Sequence, residues 1–297
     1  MAVDQAVVVP LPERRRRVPF NPIQRVAVAM TPLGLLFLIP FFYVPLFALL
    51  VRSVRPGAGQ HWWSPYSQMV TQGDLLPILS QSFTIASIAF VSMLVIGYPL
   101  AYIITFRMKA SWHMPMLLLL IISGSVSDII RIFAWYTLLG YNGILNEALL
   151  KIGVISQPMT AILFSRLAVI LVLAAGWLPY IVIPIYAAMR TISRSQLEAA
   201  RDLYSGRLAV LRHIIGPLSA PGVLGAFIVV FVPLLSEFAT PQLVGGPNTL
   251  MVGNLVSDQL LEVGNWTAAA AGATLLLVIA VILIIAAQRV SRRVSGT

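Results

Sequence analysis

The chain has 297 residues, 59% hydrophobic and 10% charged, with a mean hydropathy of +0.89. A soluble domain carries about 25% charged residues, so the composition excludes that class and indicates an integral membrane protein. The lack of cysteine excludes disulfides and thiolate metal sites, and His61, His113 and His213 have no metal-ligand spacing.

Residues 1–25 are polar, proline-bearing and basic, with Arg14–Arg17 and Arg25, and read as a cytoplasmic tail. The uncharged run Val26–Val51 follows. As a helix it would reach about 39 Å, whereas a signal-peptide core has about 7–15 residues. It therefore reads as an uncleaved first span, with Pro32, Pro40 and Pro45 as kink points. Residues 52–79 place Arg52, Arg55, Gly57 and Gly59 beside Trp62, Trp63, Pro65 and Tyr66, which suits the outer membrane surface. A second span is expected over Ser80–Phe106, with Pro99 inside it and Arg107 and Lys109 beyond it.

The third span is expected over Met114–Leu139 and holds Asp128 and Arg131. A charge at a helix centre in the membrane costs about 2.5–3.5 kcal/mol on insertion scales. The i,i+3 spacing lets the two pair on one face. Two readings stand open: a polar lining of a transport path, or a wetted structural pair near the outer end of the span. Residues 140–163 read as an outer loop with Gly140, Asn142, Gly143, a short amphipathic helix over Ile144–Ile152, and Pro158. The fourth span, Leu167–Met189, contains Gly176, Pro179 and Pro184. Prolines there free backbone carbonyls, which is tolerable against protein or a wet cavity.

The longest polar stretch of the second half is 193–221. Ser195 and Glu198 have capping-box spacing, which gives Glu198 a local role as cap, and Gly206 suits a left-handed end, so a helix is expected over Gln196–Ser205. Leu197, Ala200, Tyr204, Leu208, Leu211 and Ile215 recur at three and four to make an apolar face. Arg201, Arg207 and Arg212 occupy the other face. Pro217 and Pro221 are expected to end the helical run. The fifth span, Gly222–Leu235, leads into S-E-F-A-T-P at 236–241 and an outer loop to Asn265 bearing Glu237, Asp258 and Glu262. The sixth, Trp266–Ala287, is rich in Ala and Gly and so can pack closely.

Six spans make an all-α polytopic protein, with a transmembrane domain over 26–290 between a basic tail at 1–25 and a short tail at 291–297. The net charge is +10. Its basic residues gather before the first span, after the second, around 190–212 and at 289–293, which is the positive-inside pattern. That pattern puts both termini and the 193–217 loop in the cytoplasm, and makes membrane lipid, not nucleic acid, the plain partner of these charges. The sequence G-x-x-x-x-G-K-[ST] is absent, so ATP hydrolysis by a P-loop is not expected of this chain. Transport would then draw on a partner ATPase or an ion gradient. A gradient-driven secondary transporter often carries an inverted repeat, and none is found. The three histidines fall in expected loops, with no nucleophile–base constellation for an intramembrane enzyme.

E-A-A-R-D-L at 198–203, with Pro217 in register, resembles the EAA loop of ABC importer permeases. The family pattern has Gly where this chain has Tyr204, and Leu where it has Gly216; Gly206 stands two positions late. I-I-R-I-F-A-W at 129–135, L-N-E-A-L-L-K-I-G-V-I at 145–155 and L-V-G-G-P-N-T-L-M-V-G-N-L-V at 243–256 look like the permeases of spermidine/putrescine importers, over roughly Thr31–Arg289. Importers of ferric iron, opines and phosphonates share these stretches. The resemblance implies a type I permease with a six-helix MetI-like bundle in the bacterial inner membrane, non-catalytic and without a cofactor of its own. It implies a second homologous permease, two ATPase subunits that bind ATP and Mg, and a periplasmic binding protein. The EAA loop would form a coupling helix docked on an ATPase, with Glu198, Ala199, Ala200, Asp202, Tyr204 and Gly206 in that role. A polyamine is a flexible polycation, so carboxylates and aromatic faces suit it. Asp128, Glu237 and Asp258 are the candidates, with Trp135, Trp177 and Tyr180 as stacking partners; packing or interface roles are the plainer reading of the aromatics. Glu237 stands first among them, because it follows a span containing Pro233 and precedes a turn-rich loop.

Overall fold

The structure, a computed structural model, describes residues 30, 34, 36–55, 61–71, 75–159, 162–204 and 206–294. The expected tail at 1–25, Pro32, Gly57, Gly59 and the last three residues lie outside these. All regular structure among the described residues is helical. The chain divides into two units, Met1–Ala48 and Leu49–Thr297.

The first candidate span, α1, is Leu36–Ser53. Its turn Ile39–Tyr43 is π-helical and contains Pro40. Proline lacks the N–H that would close an α-turn, and a wider turn accommodates the gap.

In the second unit, α2 (Ser64–Thr71) and α3 (Leu75–Phe106) come first. Then follow α4 (Ala110–Gly124), α5 (Asp128–Leu139), α6 (Ile144–Lys151) and α7 (Arg166–Arg190). The chain ends with α8 (Arg194–Leu203), α9 (Arg207–Leu235), α10 (Ala239–Val244), α11 (Val252–Leu261) and α12 (Trp266–Val294). The hub is α7, which packs against α3, α9 and α4. Between α3 and α9 the rings of Phe90, Phe227 and Phe231 meet at centroid distances of 4.7–6.0 Å, and Tyr98 and Ser219 share a hydrogen bond of 2.9 Å. At Gly222 of α9 the backbones touch. A Cβ there would lie 2.6 Å from Ala188 Cβ, 2.7 Å from the Pro184 carbonyl oxygen and 3.0 Å from Ile185 Cα.

Four expectations need correction. The third span is not continuous: α4 and the helical segment from Asp128 are bent by 86° across Ser125–Ser127. Tyr180 donates to the Gly124 carbonyl at 2.9 Å and so closes the end of α4. Ser127, with φ −52° and ψ 133°, restarts the chain with Asp128 in the first turn of α5, where a carboxylate complements the helix dipole. The fifth span does not begin after the prolines: α9 runs through Pro217 and Pro221, with π-turns at Leu211–Ile215 and Phe227–Phe231. As at Pro40, the wider turns accommodate missing donors. The region up to Asn265 contains the helices α10 and α11 and is no mere loop. Finally, His113 sits in α4 and His213 in α9, not in loops.

One end of this unit is closed by residues 245–252. Val252 N–H donates to Ser82 Oγ at 2.8 Å, Gln81 Nε2 to the Leu250 carbonyl at 2.9 Å, and Arg166 Nε to the Asn248 carbonyl at 3.2 Å. Nearby, buried Asn146 ties the turn at Gly140 to both the N–H and the carbonyl of Met159. The other end carries Phe106, Arg190 and α8.

Candidate translocation and coupling sites

The break between α4 and α5 points the start of α5 at the middle of α7. Gly176 lies about 15 Å along α7 from Arg166 and about 21 Å from Arg190, so the meeting point is at mid-depth. Pro179 lacks the N–H that would bond the Ala175 carbonyl, which opens the ladder at this turn. Arg131 lies against the opened turn, and its Nη1 donates to the Gly176 carbonyl at 2.7 Å. Its Nη2 donates to the Val126 carbonyl at 3.4 Å and to Asp128 Oδ1. The Arg131–Asp128 pair is the only ion pair among the described residues, with side-chain exposures of 15% and 67%.

On the other side of this turn stands Glu237. Its Oε1 accepts from the N–H of Thr240 at 3.2 Å and from the Thr240 hydroxyl at 3.1 Å, which fixes the carboxylate at the start of α10. Asp128, Arg131, Gly176, Trp177, Glu237 and Thr240, with three apolar neighbours, line one cavity of about 10 Å³. That is room for a single water molecule.

Three of the six expected pathway residues therefore converge: Asp128, Glu237 and Trp177. Tyr180 is next to them, its ring 5.4 Å from that of Trp177, but its hydroxyl is committed to Gly124. Trp135 packs half-buried against the core, and Asp258 sits half-buried on α11; neither lines the cavity. Sequence reasoning paired Arg131 with Asp128 but did not connect either to Gly176 or Thr240. The signal available was the glycine three residues before Pro179, a place where a side chain from another helix can reach a carbonyl.

At the far end of α7, α8 begins two residues earlier than expected. Its cap is Ser193, with φ −73° and ψ 154°, and the capping box pairs it with Gln196. Ser195 is already helical and its hydroxyl meets that of Ser193 at 3.0 Å. Glu198 is exposed and has no side-chain partner among the described residues, so the expected capping role is withdrawn. Ala200 is buried, Leu197 and Tyr204 are half-buried, and Ala199 and Asp202 are exposed. Leu208, expected on the apolar face, is 76% exposed, and Leu203 is 78% exposed. The helix ends at Tyr204 in extended conformation. Gly206 then adopts φ 112°, a region that favours glycine, but it serves as N-cap of α9 and not as the end of α8. The Tyr204 ring stacks on His213 at 5.0 Å with a 7° interplanar angle.

A bundle of long apolar helices with a polar amphipathic helix between two of them can be compared with known families. The model described as "Binding-protein-dependent transport system inner membrane component" matches residues 35–296. The chain belongs to this family. It is an ABC importer permease, a multi-pass membrane transport subunit. It is similar to the spermidine/putrescine transport system permease protein PotB of Escherichia coli (strain K12), with 35% identity over 193 residues covering 65% of this chain and 70% of that one. It is also similar to PotB of Haemophilus influenzae, with 30% identity over 251 residues covering 83% and 86%. A more distant relative is a putative 2-aminoethylphosphonate transport system permease protein of Salmonella paratyphi A, 26% identical over 242 residues, covering 77% and 81%. Among solved structures, a bacterial ABC transporter that imports alginate has the same fold, with TM-score 0.75 and 16% identity over 91% of this chain and 96% of that one.

Proposed function

We propose that this permease forms the translocation path for a small organic polycation, a polyamine of the spermidine/putrescine kind. A periplasmic binding protein delivers the cargo. A second, homologous permease completes the path, and two ATPase subunits that bind ATP and Mg drive it. In this reading both termini and α8 are cytoplasmic, and α8 is the coupling helix docked on an ATPase, with Glu198, Ala199, Ala200, Asp202, Tyr204 and Gly206 at the contact. The exposed side chains of Leu203 and Leu208 favour it, because apolar residues held out on a polar helix suit a partner's cleft.

The observation that carries the cargo reading is the cavity, where Asp128 and Glu237 face one space beside Trp177. Two carboxylates and an aromatic face suit successive ammonium groups. The motion follows from α7: it supplies the cavity wall at Gly176 and leads directly into α8, so displacing α8 moves the wall. The alternating-access cycle would shut the cavity in one state and open it in the other. The test is uptake of labelled spermidine by proteoliposomes holding the whole complex. ATP-dependent accumulation is expected; its absence, with uptake of another cargo intact, refutes the polyamine assignment.

A second cargo is favoured by one observation. Arg131 places a guanidinium in the same cavity, and an aminophosphonate carries both an amine and an anion. Competition between the two cargoes in the same assay separates them.

A further inference from the structure

We infer that Arg131 is a tethered competitor of the cargo: its guanidinium occupies the place at Asp128 that a cargo ammonium takes during passage, and so selects for cations. The inference rests on the polycation reading above.

Three observations carry it. Arg131 is anchored independently of Asp128. Its Nη1 bond to the Gly176 carbonyl is 2.7 Å long and comes from a different helix, so the side chain keeps a partner when Asp128 is taken. Gly176 makes this seat, since a Cβ there would lie 2.9 Å from Nη1 and 3.0 Å from Cζ. The exposures are asymmetric: Asp128 is open at 67%, while Arg131 is held at 15%. An arriving amine therefore meets the carboxylate first. Lastly, Asp128, Arg131 and Glu237 line one cavity, so a cation that reaches Glu237 there lies beside the pair.

The chemistry follows from charge balance. An ammonium that displaces the guanidinium from Asp128 leaves the carboxylate paired throughout, and the exchange costs little. A neutral solute would leave Asp128 unpaired at mid-depth, and an anion would meet a second carboxylate at Glu237. Selectivity thus arises from what the site refuses as much as from what it binds. Lysine is a poor substitute, because a point charge cannot hold the Gly176 carbonyl and Asp128 with one rigid fork.

The test uses the complete complex in proteoliposomes, with wild type, Arg131→Gln, Arg131→Lys and the double variant Asp128→Asn/Arg131→Gln. Passive leak of trapped putrescine without ATP and ATPase activity without cargo are read first, then the uptake ratio of putrescine to a neutral diol of the same length. For Arg131→Gln the leak and the cargo-free ATPase are expected to rise about tenfold, and the uptake ratio to fall toward one. Arg131→Lys should lie between. If Arg131→Gln does not assemble, the double variant, which removes both charges together, reads the same quantities. Wild-type leak and an unchanged uptake ratio in an assembled variant lacking the guanidinium overturn the inference. A wild type that accumulates no polyamine refutes the cargo reading alone; the leak of trapped putrescine still decides the role of Arg131.

Discussion

Ser193 and Gln196 close a reciprocal pair at the start of α8: the Gln196 N–H donates to Ser193 Oγ at 3.3 Å, and the Ser193 N–H to Gln196 Oε1 at 2.9 Å. The cap is therefore separate from the acidic residue of the EAA-like motif. Ser193→Ala should destabilise the helix by about 1 kcal/mol, seen as faster hydrogen exchange over 194–203. Glu198→Ala should leave that exchange unchanged. If transport falls while assembly and exchange hold, Glu198 acts on the partner; if exchange rises, it has a local role after all.

The stack of Tyr204 on His213 joins the end of α8 to α9. Such a pair contributes about 0.5–1.5 kcal/mol beyond burial. His213→Ala should accelerate hydrogen exchange between residues 203 and 213 and lower the transport obtained per ATP, with the complex still assembled. His213→Phe, which keeps a ring, should restore both. Equal behaviour of the two variants would remove the stack from the mechanism.

Gly222 meets backbone atoms of α7 on one side, and these cannot rotate away as a side chain would. Gly222→Ala is expected to cost about 1–3 kcal/mol by overpacking. Thermal unfolding of the detergent-solubilised protein should report a lower midpoint. Gly153, whose Cβ would meet nothing within 4 Å but whose φ is 73°, should respond to the same substitution through strain alone and by less.

Asp128 and Glu237 share a cavity that Asp258 does not. Neutralising the first two together, as Asp128→Asn/Glu237→Gln, should reduce polyamine uptake by about tenfold or more. Asp258→Asn should leave it near wild type. Gln at 237 can still accept from Thr240 through its carbonyl oxygen, so α10 should persist. Uptake that falls with Asp258→Asn and not with the double variant would move the path to α11.

The existence of five of the spans was legible because each is a long uncharged run; Leu167–Met189 against Arg166–Arg190 differs by a residue at each end. What failed were breaks and continuations. Gly124 and Ser127 lie in a stretch, S-G-S-V-S-D at 123–128, too short to lower a span-length average, and hydropathy does not register a change of direction. Pro217 and Pro221 read as a stop, yet π-turns let α9 pass through them. The Ser195–Glu198 spacing was a true motif shifted against an equally good one, Ser193–Gln196. Only the end of α7 at Arg190 chooses between them, because it leaves Ser193 in the extended conformation that a cap requires. The cavity was half legible: Asp128 announced itself as a costly charge and Glu237 as the acid between a Pro233-bearing span and a turn-rich loop, but the seat for Arg131 depends on a glycine with no charge to flag it.

The contact at Gly222 has a mechanical consequence. The helices α7 and α9 leave and re-enter the two ends of α8, and Gly222 of α9 meets Pro184, Ile185 and Ala188 within the last two turns of α7, so together they form a hairpin with α8 as its apex. A load applied at the apex is shared by both limbs and cannot be relieved by one sliding along the other. On the α7 limb it reaches Gly176 through the turns of Pro184 and Pro179, where the ladder lacks donors.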